Sequence, residues 1–287
     1  MRHALVFGGS GQIGAALLPR LQAQDWRITA VSRKPRTSVP GLHWLRGELA
    51  DVAGLPADVD AIFSCGPLDA FACWYATTPV AAARVVAFGS TSAHVKQQSA
   101  DAAERALAER LKTAEQAVFD AASRQGVIAT LLRPTLIYGA GRDRTLTRVA
   151  QLAQRWGRFV LPAGADGARQ PVHVDDLAAA ALAACEHAAA IGRYDLPGGE
   201  TLPYREMIAR VLGTLTPPPR LHTLPAPAFA MLLRVARAAG VAHDLGDAAI
   251  ARMRADLAFD TGPSQRDFGY APRAFHPTAD MFRAPEQ

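Results

Sequence analysis

The feature that most constrains this chain is a set of three glycines near its start, Gly8, Gly11 and Gly14. They stand between a short apolar run at residues 4–7 and a stretch with helical spacing at residues 13–23. In a strand–loop–helix unit, the first glycine permits a tight turn, the second lets the backbone approach a pyrophosphate, and the third allows close packing of helix on sheet. Free amide N–H groups at the helix start attract the phosphates.

This spacing predicts a dinucleotide-binding loop, although glycines also serve ordinary turns. The predicted contacts within the loop are the three glycines together with Ser10, Gln12 and Ile13.

Apolar runs alternate with helical stretches from residue 4 to residue 198. Strands are predicted at residues 4–7, 27–32, 61–64, 83–88, 127–132, 171–174 and 193–196. Helices are predicted at 13–23, at 102–124 with Leu107, Leu111, Val118 and Ala122 on one stripe, and at 176–187 with Asp175 as its cap.

This alternation indicates an α/β fold with a mostly parallel sheet covered on both faces. We expect a Rossmann-type doubly wound parallel sheet with a small, mostly helical C-terminal lobe. Residues 1–198 would form the cofactor-binding domain, with 140–168 contributing to the substrate side. Residues 199–287 would form the smaller substrate-binding lobe.

The end of the second predicted strand bears on cofactor choice. An NAD site needs an acidic residue about 20 residues beyond the glycines to hold the ribose hydroxyls. This chain has Ser32, Arg33 and Lys34 there. The two cations can pair with a 2′-phosphate and the serine can donate a hydrogen bond to it. We therefore expect NADP(H), the alternative being a solvated basic turn.

Composition excludes several other classes of function. Hydrophobic residues make up 49% and charged residues 20% of the chain, which is typical of a globular protein. The net charge of +5 comes from scattered arginines, which gives little support for nucleic-acid binding. No apolar run is long enough to span a membrane. The three cysteines form no metal-ligand pattern, and their sparse, odd number suggests a cytoplasmic protein without a metal site.

Further segments carry a resemblance to a known family. They are, in chain order, residues 47–51 (Gly-Glu-Leu-Ala-Asp), 64–66 (Ser-Cys-Gly), 88–92 (Phe-Gly-Ser-Thr-Ser), 133–139 (Arg-Pro-Thr-Leu-Ile-Tyr-Gly) and 170–176 (Gln-Pro-Val-His-Val-Asp-Asp). With the glycine loop, the chain resembles the extended or atypical branch of the short-chain dehydrogenase/reductase superfamily, which includes nucleotide-sugar epimerases and dehydratases. The resemblance covers nearly the whole chain.

The resemblance implies further cofactor contacts and a catalytic hydroxyl. The adenine would lie near Glu48 and Leu49, and the fourth strand of the family would bring Cys65 and Gly66 past the cofactor. The segment near the nicotinamide would contain Pro134 and Thr135. Ser92 matches the family's catalytic hydroxyl, and a serine capping a strand end is the alternative.

The chain departs from the family at its catalytic Tyr-x-x-x-Lys pair. No tyrosine occurs between Tyr75 and Tyr138, and counting back from Glu115 places Leu107 and Leu111 at the two positions. A shift of one residue, about 100° of helix rotation, would place Ala108 and Lys112 there instead. The family's proton relay therefore does not carry over.

Three other residues remain candidates for proton transfer: Lys96, Lys112 and Tyr138. Each also has a structural alternative. The first hypothesis is an NADP(H)-dependent oxidoreductase acting on a small organic or sugar-nucleotide substrate. The second is a non-catalytic NADP(H)-binding sensor or accessory subunit, and the third is an epimerase or dehydratase. A homodimer is compatible with each hypothesis.

Overall fold

The computed structural model describes residues 1–143, 145–238, 240 and 246–283. Residue 144 of the predicted 140–168 segment, and residues 239, 241–245 and 284–287 of the predicted C-terminal lobe, lie outside the described residues.

The chain contains thirteen described strands and ten described α-helices. The strands are β1 (His3–Phe7), β2 (Arg27–Ser32), β3 (Leu42–Arg46), β4 (Asp58–Ser64), β5 (Ala81–Phe88), β6 (Ile128–Pro134), β7 (Ile137–Tyr138), β8 (Arg158–Pro162), β9 (Ala168–Arg169), β10 (Val172–His173), β11 (Gly192–Leu196), β12 (Leu202–Pro203) and β13 (Arg220–Leu224). The helices are α1 (Gln12–Ala23), α2 (Leu68–Thr77), α3 (Ser92–Val95), α4 (Ala102–Gln125), α5 (Leu146–Trp156), α6 (Val174–Glu186), α7 (Tyr204–Gly213), α8 (Ala226–Ala238), α9 (Asp247–Arg254) and α10 (Gly262–Phe268), with a 3₁₀ turn at Ala279–Phe282.

The chain divides into two compact units, each assembled from three segments. The first unit contains Met1–Thr135, Val174–Pro197 and Asp260–Pro272, and the second contains Leu136–His173, Gly198–Phe259 and Arg273–Gln287. The boundary expected at residue 198 coincides with one of these crossings. The chain also crosses at four further points, because α6 and β11, and later α10, return to the first unit.

The first unit is built on a seven-stranded parallel sheet with the strand order β11-β6-β5-β4-β1-β2-β3. The order reverses at β1, so β1 and β4 separate the two halves of the sheet. Their carboxyl ends lie side by side, since Phe7 pairs with Ser64. Ligands of open α/β sheets bind beside the carboxyl ends of the strands at such a reversal. The doubly wound α/β fold expected from the sequence is confirmed.

Local sequence explains where the long helix α4 begins and ends. Asp101 caps its start by accepting hydrogen bonds from the N–H groups of Ala103 and Glu104 at 2.8 and 3.3 Å. Gly126 ends it in the left-handed conformation, with φ of 67°. The buried face of α4 contains Val118 and Ala122, as expected, but Leu107 and Leu111 lie only half-buried. The small side chains of Ala108, Ala114 and Ala121 take the buried positions instead, because α4 packs closely against α2 and the sheet.

The second unit has a core of its own, around α5 and α7. Three two-stranded sheets surround it, pairing β7 with β10, β8 with β13, and β9 with β12. Most of its remaining described residues are helical, as expected for the smaller lobe.

Two element predictions need correction. Asp175 does not cap α6, because this helix begins one residue earlier, at Val174. Asp175 instead lies in the first turn, where a carboxylate interacts favourably with the helix dipole. The sequence interpretation also missed β3 and α2, which both belong to the first unit.

Candidate functional site

The glycine loop lies between β1 and α1, and its three glycines have different environments. Gly8 has a φ of +70°, and a Cβ there would lie 2.8 Å from the backbone of Cys65. A Cβ on Gly14 would lie 2.2 Å from the carbonyl oxygen of Gly8. A Cβ on Gly11 would lie 3.1 Å from the Gly8 oxygen and 4.0 Å from the Cys65 oxygen, with no other atom within 4 Å among the described residues. Gly8 and Gly14 are therefore required by the fold, whereas Gly11 leaves room in front of the loop.

A tryptophan from the edge strand lies against this loop. A Cβ on Gly9 would come within 3.2 Å of the Trp44 ring, which β3 carries beside Ala30 of β2. The Arg36 guanidinium carbon lies 5.3 Å from the centroid of the same ring. Sequence reasoning missed both residues, because β3 was not recognised as a strand.

The basic residues after β2 are accessible. Arg33 and Lys34 are exposed, while Ser32 is buried and its carbonyl oxygen accepts a hydrogen bond from Gly47 N at 3.1 Å. Glu48 is exposed and Leu49 half-buried at the next turn, where Glu48 N donates to Asp51 Oδ1 at 3.1 Å.

The end of β4 faces the glycine loop through its backbone. Cys65 N donates to Phe7 O at 2.9 Å, and a Cβ on Gly66 would meet nothing within 4 Å. Burial raises the pKa of the Cys65 thiol to about 12, so this cysteine is a neutral lining group and not a nucleophile.

These surroundings fit a dinucleotide. The close approach of Gly8, Gly14 and Cys65 brings backbone to backbone at the start of α1, where N–H groups can receive a pyrophosphate. Two side-chain oxygens there, Gln12 Oε1 and Ser64 Oγ, are buried without a hydrogen-bond partner among the described residues. Buried polar atoms are usually hydrogen-bonded, so these two oxygens are candidate contacts for a bound ligand.

Ser92 begins the short helix α3, which follows β5 at the same edge of the sheet, and Lys96 is the residue directly after this helix. Both residues are half-buried, and the intervening turn closes with Lys96 N donating to Ser92 O at 3.1 Å. Lys96 Nζ forms an ion pair with Glu104 Oε1 of α4 at 3.3 Å, and Ser99 Oγ donates to the other oxygen of Glu104 at 2.7 Å. The ion pair holds the ammonium of Lys96 close to α4.

Lys112, the remaining catalytic candidate of the first unit, lies beside the buried face of α4. Ala108 and Glu115 are buried, so the face that contains them packs inward. Lys112 is three residues before Glu115, about 60° round the helix from it, and is half-buried on the flank. Leu107 and Leu111, at the family's tyrosine and lysine positions, are also half-buried.

A buried charge network joins α4 to strands β6 and β11. Arg133 and Glu115 are 8% and 1% exposed, and their side chains form a bidentate pair through Nε–Oε1 at 2.8 Å and a second contact, Nη2–Oε2. The same arginine donates from Nη1 to His94 Nε2 at 2.5 Å and lies 3.9 Å from Asp195 Oδ1. Burial raises the pKa of Asp195 above its usual range, and the positive charge of Arg133 partly offsets this.

The residues expected near the nicotinamide lie at the end of β6. Pro134 O accepts hydrogen bonds from Thr91 N at 3.3 Å and from Thr91 Oγ1 at 3.2 Å. Thr135 N donates to Leu196 O at 3.3 Å. These bonds join the end of β5, which leads into Ser92, to β6 and β11 at the same edge of the sheet.

Tyr138 belongs to the second unit. It is 1% exposed, and its ring packs edge-on against His173 and Phe275 at centroid distances of 5.1 and 4.9 Å. This is the environment of a core aromatic residue. Its suggested role in proton transfer stays a prediction.

Two other expectations concern metals and membranes. Among the described residues, no group of three or more His, Cys, Asp or Glu side chains is arranged to hold a metal ion. No helix within the described part of the chain is both long enough and apolar enough to cross a bilayer.

Comparison with known proteins identifies the class to which this fold and loop belong. The model of the NAD dependent epimerase/dehydratase family matches residues 4–110 and 110–196. The chain is therefore a member of the NAD dependent epimerase/dehydratase family, as the motif resemblance implied.

The individual relatives that follow share between 10% and 28% sequence identity with the chain. The chain is 28% identical to the 2-alkyl-3-oxoalkanoate reductase of Stenotrophomonas maltophilia (strain K279a), over 94% of each chain. Among solved structures it is similar to the Bordetella bronchiseptica enzyme WbmH in complex with NAD+, with a TM-score of 0.68, 16% identity and coverage of 98% of this chain and 96% of that one. A UDP-glucuronic acid 4-epimerase from Bacillus cereus in complex with NAD gives a TM-score of 0.65, at 10% identity and the same coverage. These two likenesses support the fold.

Proposed function

We propose that this protein is an NADP(H)-dependent reductase that acts on an oxo acid, with Ser92 binding the reacting oxygen. The observation that carries the proposal is the common sheet edge. The glycine loop follows β1 and Ser92 follows β5, so both lie at carboxyl ends of parallel strands that only β4 separates. NADPH bound there supplies a hydride. The chain supplies the site that holds the cofactor and a hydroxyl that can donate a hydrogen bond to a substrate carbonyl.

The preference for NADP(H) rests on charge at the end of β2. Arg33 and Lys34 are exposed there, and Arg36 lies on the Trp44 ring nearby. Guanidinium groups bind phosphate through charge-assisted hydrogen bonds. The family is described as NAD dependent and the two solved neighbours hold NAD, so the phosphate preference is the specific part of this proposal.

The substrate class is suggested by the relative from Stenotrophomonas, a reductase of 2-alkyl-3-oxoalkanoates. Reduction of a 3-oxo group places negative charge on the carbonyl oxygen as the hydride arrives at carbon. A serine hydroxyl that hydrogen-bonds this oxygen stabilises the charge. The proton can then come from water, because the chain has no tyrosine between Tyr75 and Tyr138 to donate it.

The missing tyrosine also limits the proposed activity. General acid catalysis contributes typically about 10²–10⁴ in rate, so reduction of any ketone carbonyl, that of an oxo acid included, should be slow unless another group stabilises the developing charge. Lys96, just after α3, and Lys112, on α4, are the lysines close in sequence to Ser92 and to the family's lysine position. Either can favour the developing negative charge.

The experiment is NADPH oxidation by the purified protein with a 2-alkyl-3-oxo acid, a simple ketone, an enone and an imine. We expect the oxo acid to be reduced faster than the ketone. Ser92→Ala should lower turnover by about 10²–10³, the range for loss of one oxyanion donor, and leave NADPH binding unchanged. Substitutions at Lys96, Lys112 and Tyr138 should each have smaller effects. Full turnover by Ser92→Ala would refute the assignment, and tight NADPH binding without turnover of any compound would favour the sensor.

A further inference from the structure

We infer that His94, through its contact with Arg133, is a positioning residue that holds Ser92 in its place for catalysis. This inference rests on the proposed function, because it assigns the role of a second residue at the same site. The carrying observation is the hydrogen bond of 2.5 Å from Arg133 Nη1 to His94 Nε2.

Arg133 connects three elements that surround the site. Its backbone is in β6, its Nε and Nη2 atoms bind Glu115 of α4, and its Nη1 atom binds His94 of α3. The Arg133–Glu115 pair is buried, so the guanidinium has little freedom to move. His94 is exposed. Of the two residues that bind the Arg133 side chain here, Glu115 and His94, it is His94 that lies on α3 with Ser92.

The helix α3 depends on such contacts for its position. It has only four residues, and its few internal hydrogen bonds cannot orient it relative to the sheet. Thr91 fixes its start by bonding Pro134, and Lys96 fixes its end by pairing with Glu104. His94 lies about 200° round the helix from Ser92. Anchoring His94 to Arg133 therefore turns the Ser92 side chain away from the buried network.

The direction of this hydrogen bond is fixed by the arginine. A guanidinium has donors and no acceptor, so Arg133 Nη1 donates and His94 Nε2 accepts. A replacement for His94 must therefore offer an acceptor at the same place to keep the contact.

The first test compares His94→Ala and His94→Gln with the wild-type protein in NADPH-dependent reduction of the 2-alkyl-3-oxo acid. We expect His94→Ala to lower kcat by about 10- to 100-fold, as expected for a misplaced catalytic group, with the KM for NADPH and the Tm unchanged. The amide oxygen of glutamine can accept from Arg133, so His94→Gln should restore most of kcat. His187→Ala is the matched control, since His187 is an exposed histidine of the first unit that contacts only Ala183 O through its ring.

The rescue separates positioning from a general packing role, because only a side chain that accepts a hydrogen bond from Arg133 should restore kcat. The inference is overturned if His94→Ala keeps wild-type kcat or if His94→Gln fails to restore it.

Amide hydrogen exchange tests the inference independently of turnover. Without substrate, exchange across residues 91–96 should speed up in His94→Ala and return to the wild-type rate in His94→Gln. If the wild-type protein reduces no substrate, the proposed function fails by itself, while unchanged exchange in His94→Ala would overturn the positioning role whether or not turnover is observed.

Discussion

At the scale of single residues, the site separates into groups that hold a cofactor and groups that face a substrate. Arg33 and Lys34 are exposed cations at the end of β2, suited to bind an additional phosphate. Ser92 is the hydroxyl at the end of β5, and its neighbour His94 binds the buried Arg133. The half-buried Asp195 extends the network, with its Oδ1 atom 3.9 Å from Arg133 Nη1.

Replacing Arg33 tests the phosphate contact. Arg33→Ala should weaken NADPH binding by about 1–3 kcal/mol, the range for a hydrogen bond to a charged group, and leave NADH binding nearly unchanged. Calorimetric titration of both cofactors measures the two effects. Arg124→Ala is the matched control, because this exposed arginine lies in the last turn of α4. An equal loss for NADPH and NADH would show that Arg33 does not bind the 2′-phosphate.

Asp195 gives a prediction about stability and pH. Its pKa is raised in the folded protein by burial, so the folded state holds this proton more tightly than the unfolded state. The Asp195 contribution to unfolding free energy therefore falls as pH rises through the window between the usual aspartate pKa and the raised one. Asp195→Asn should be at least as stable as wild type at pH 7, with this difference shrinking as pH falls toward 4. Urea unfolding across that range checks it, and a large loss of stability at pH 7 would contradict it.

At the scale of elements, strongly patterned segments could be predicted and weakly patterned ones could not. The strands β1, β2 and β11 and the helices α1 and α4 have clear apolar spacing, and their predicted bounds agree within about two residues. The helix α4 also has a capping residue at each end. The edge strand β3 was missed because only its first residue is fully buried, leaving no clear apolar pattern. The helix α2 was missed because it has only 10 residues and no side-chain cap at its start.

The same distinction applies to the candidate site. The glycine loop is local in sequence, so spacing alone predicted its position and the strand and helix that flank it. Trp44, Glu104 and His94 could not be found in this way, because each acquires its role from a partner on another element.

The loop β1–α1 yields a prediction that distinguishes cofactor contact from fold. Gly11→Val should abolish NADPH binding with little change in Tm, because the side chain would enter the open space in front of the loop. Gly14→Val should instead destabilise the protein, since its Cβ would lie 2.2 Å from Gly8 O. Thermal unfolding and NADPH titration of both variants check this. A Gly11→Val protein that melts normally and still binds NADPH would contradict the loop assignment.

At the scale of the whole molecule, the family match covers residues 4–196, which include most of the first unit. The relative that extends over 94% of both chains is a reductase, and the solved neighbours include an epimerase. The family match therefore indicates that the protein uses a nicotinamide cofactor. It does not indicate the substrate, because members of the family act on different substrates through different residues. Fold similarity alone cannot choose between these reactions.

The measurement that tests the central claim most directly is a titration of the wild-type protein with NADPH and with NADH, followed by tryptophan fluorescence. Trp44 lies against Gly9 of the loop, so a bound nicotinamide cofactor should quench its emission. We predict that NADPH saturates the signal at a concentration at least about tenfold lower than NADH does, a difference of about 1.4 kcal/mol. Equal or tighter binding of NADH, or no binding of either cofactor, would contradict the account.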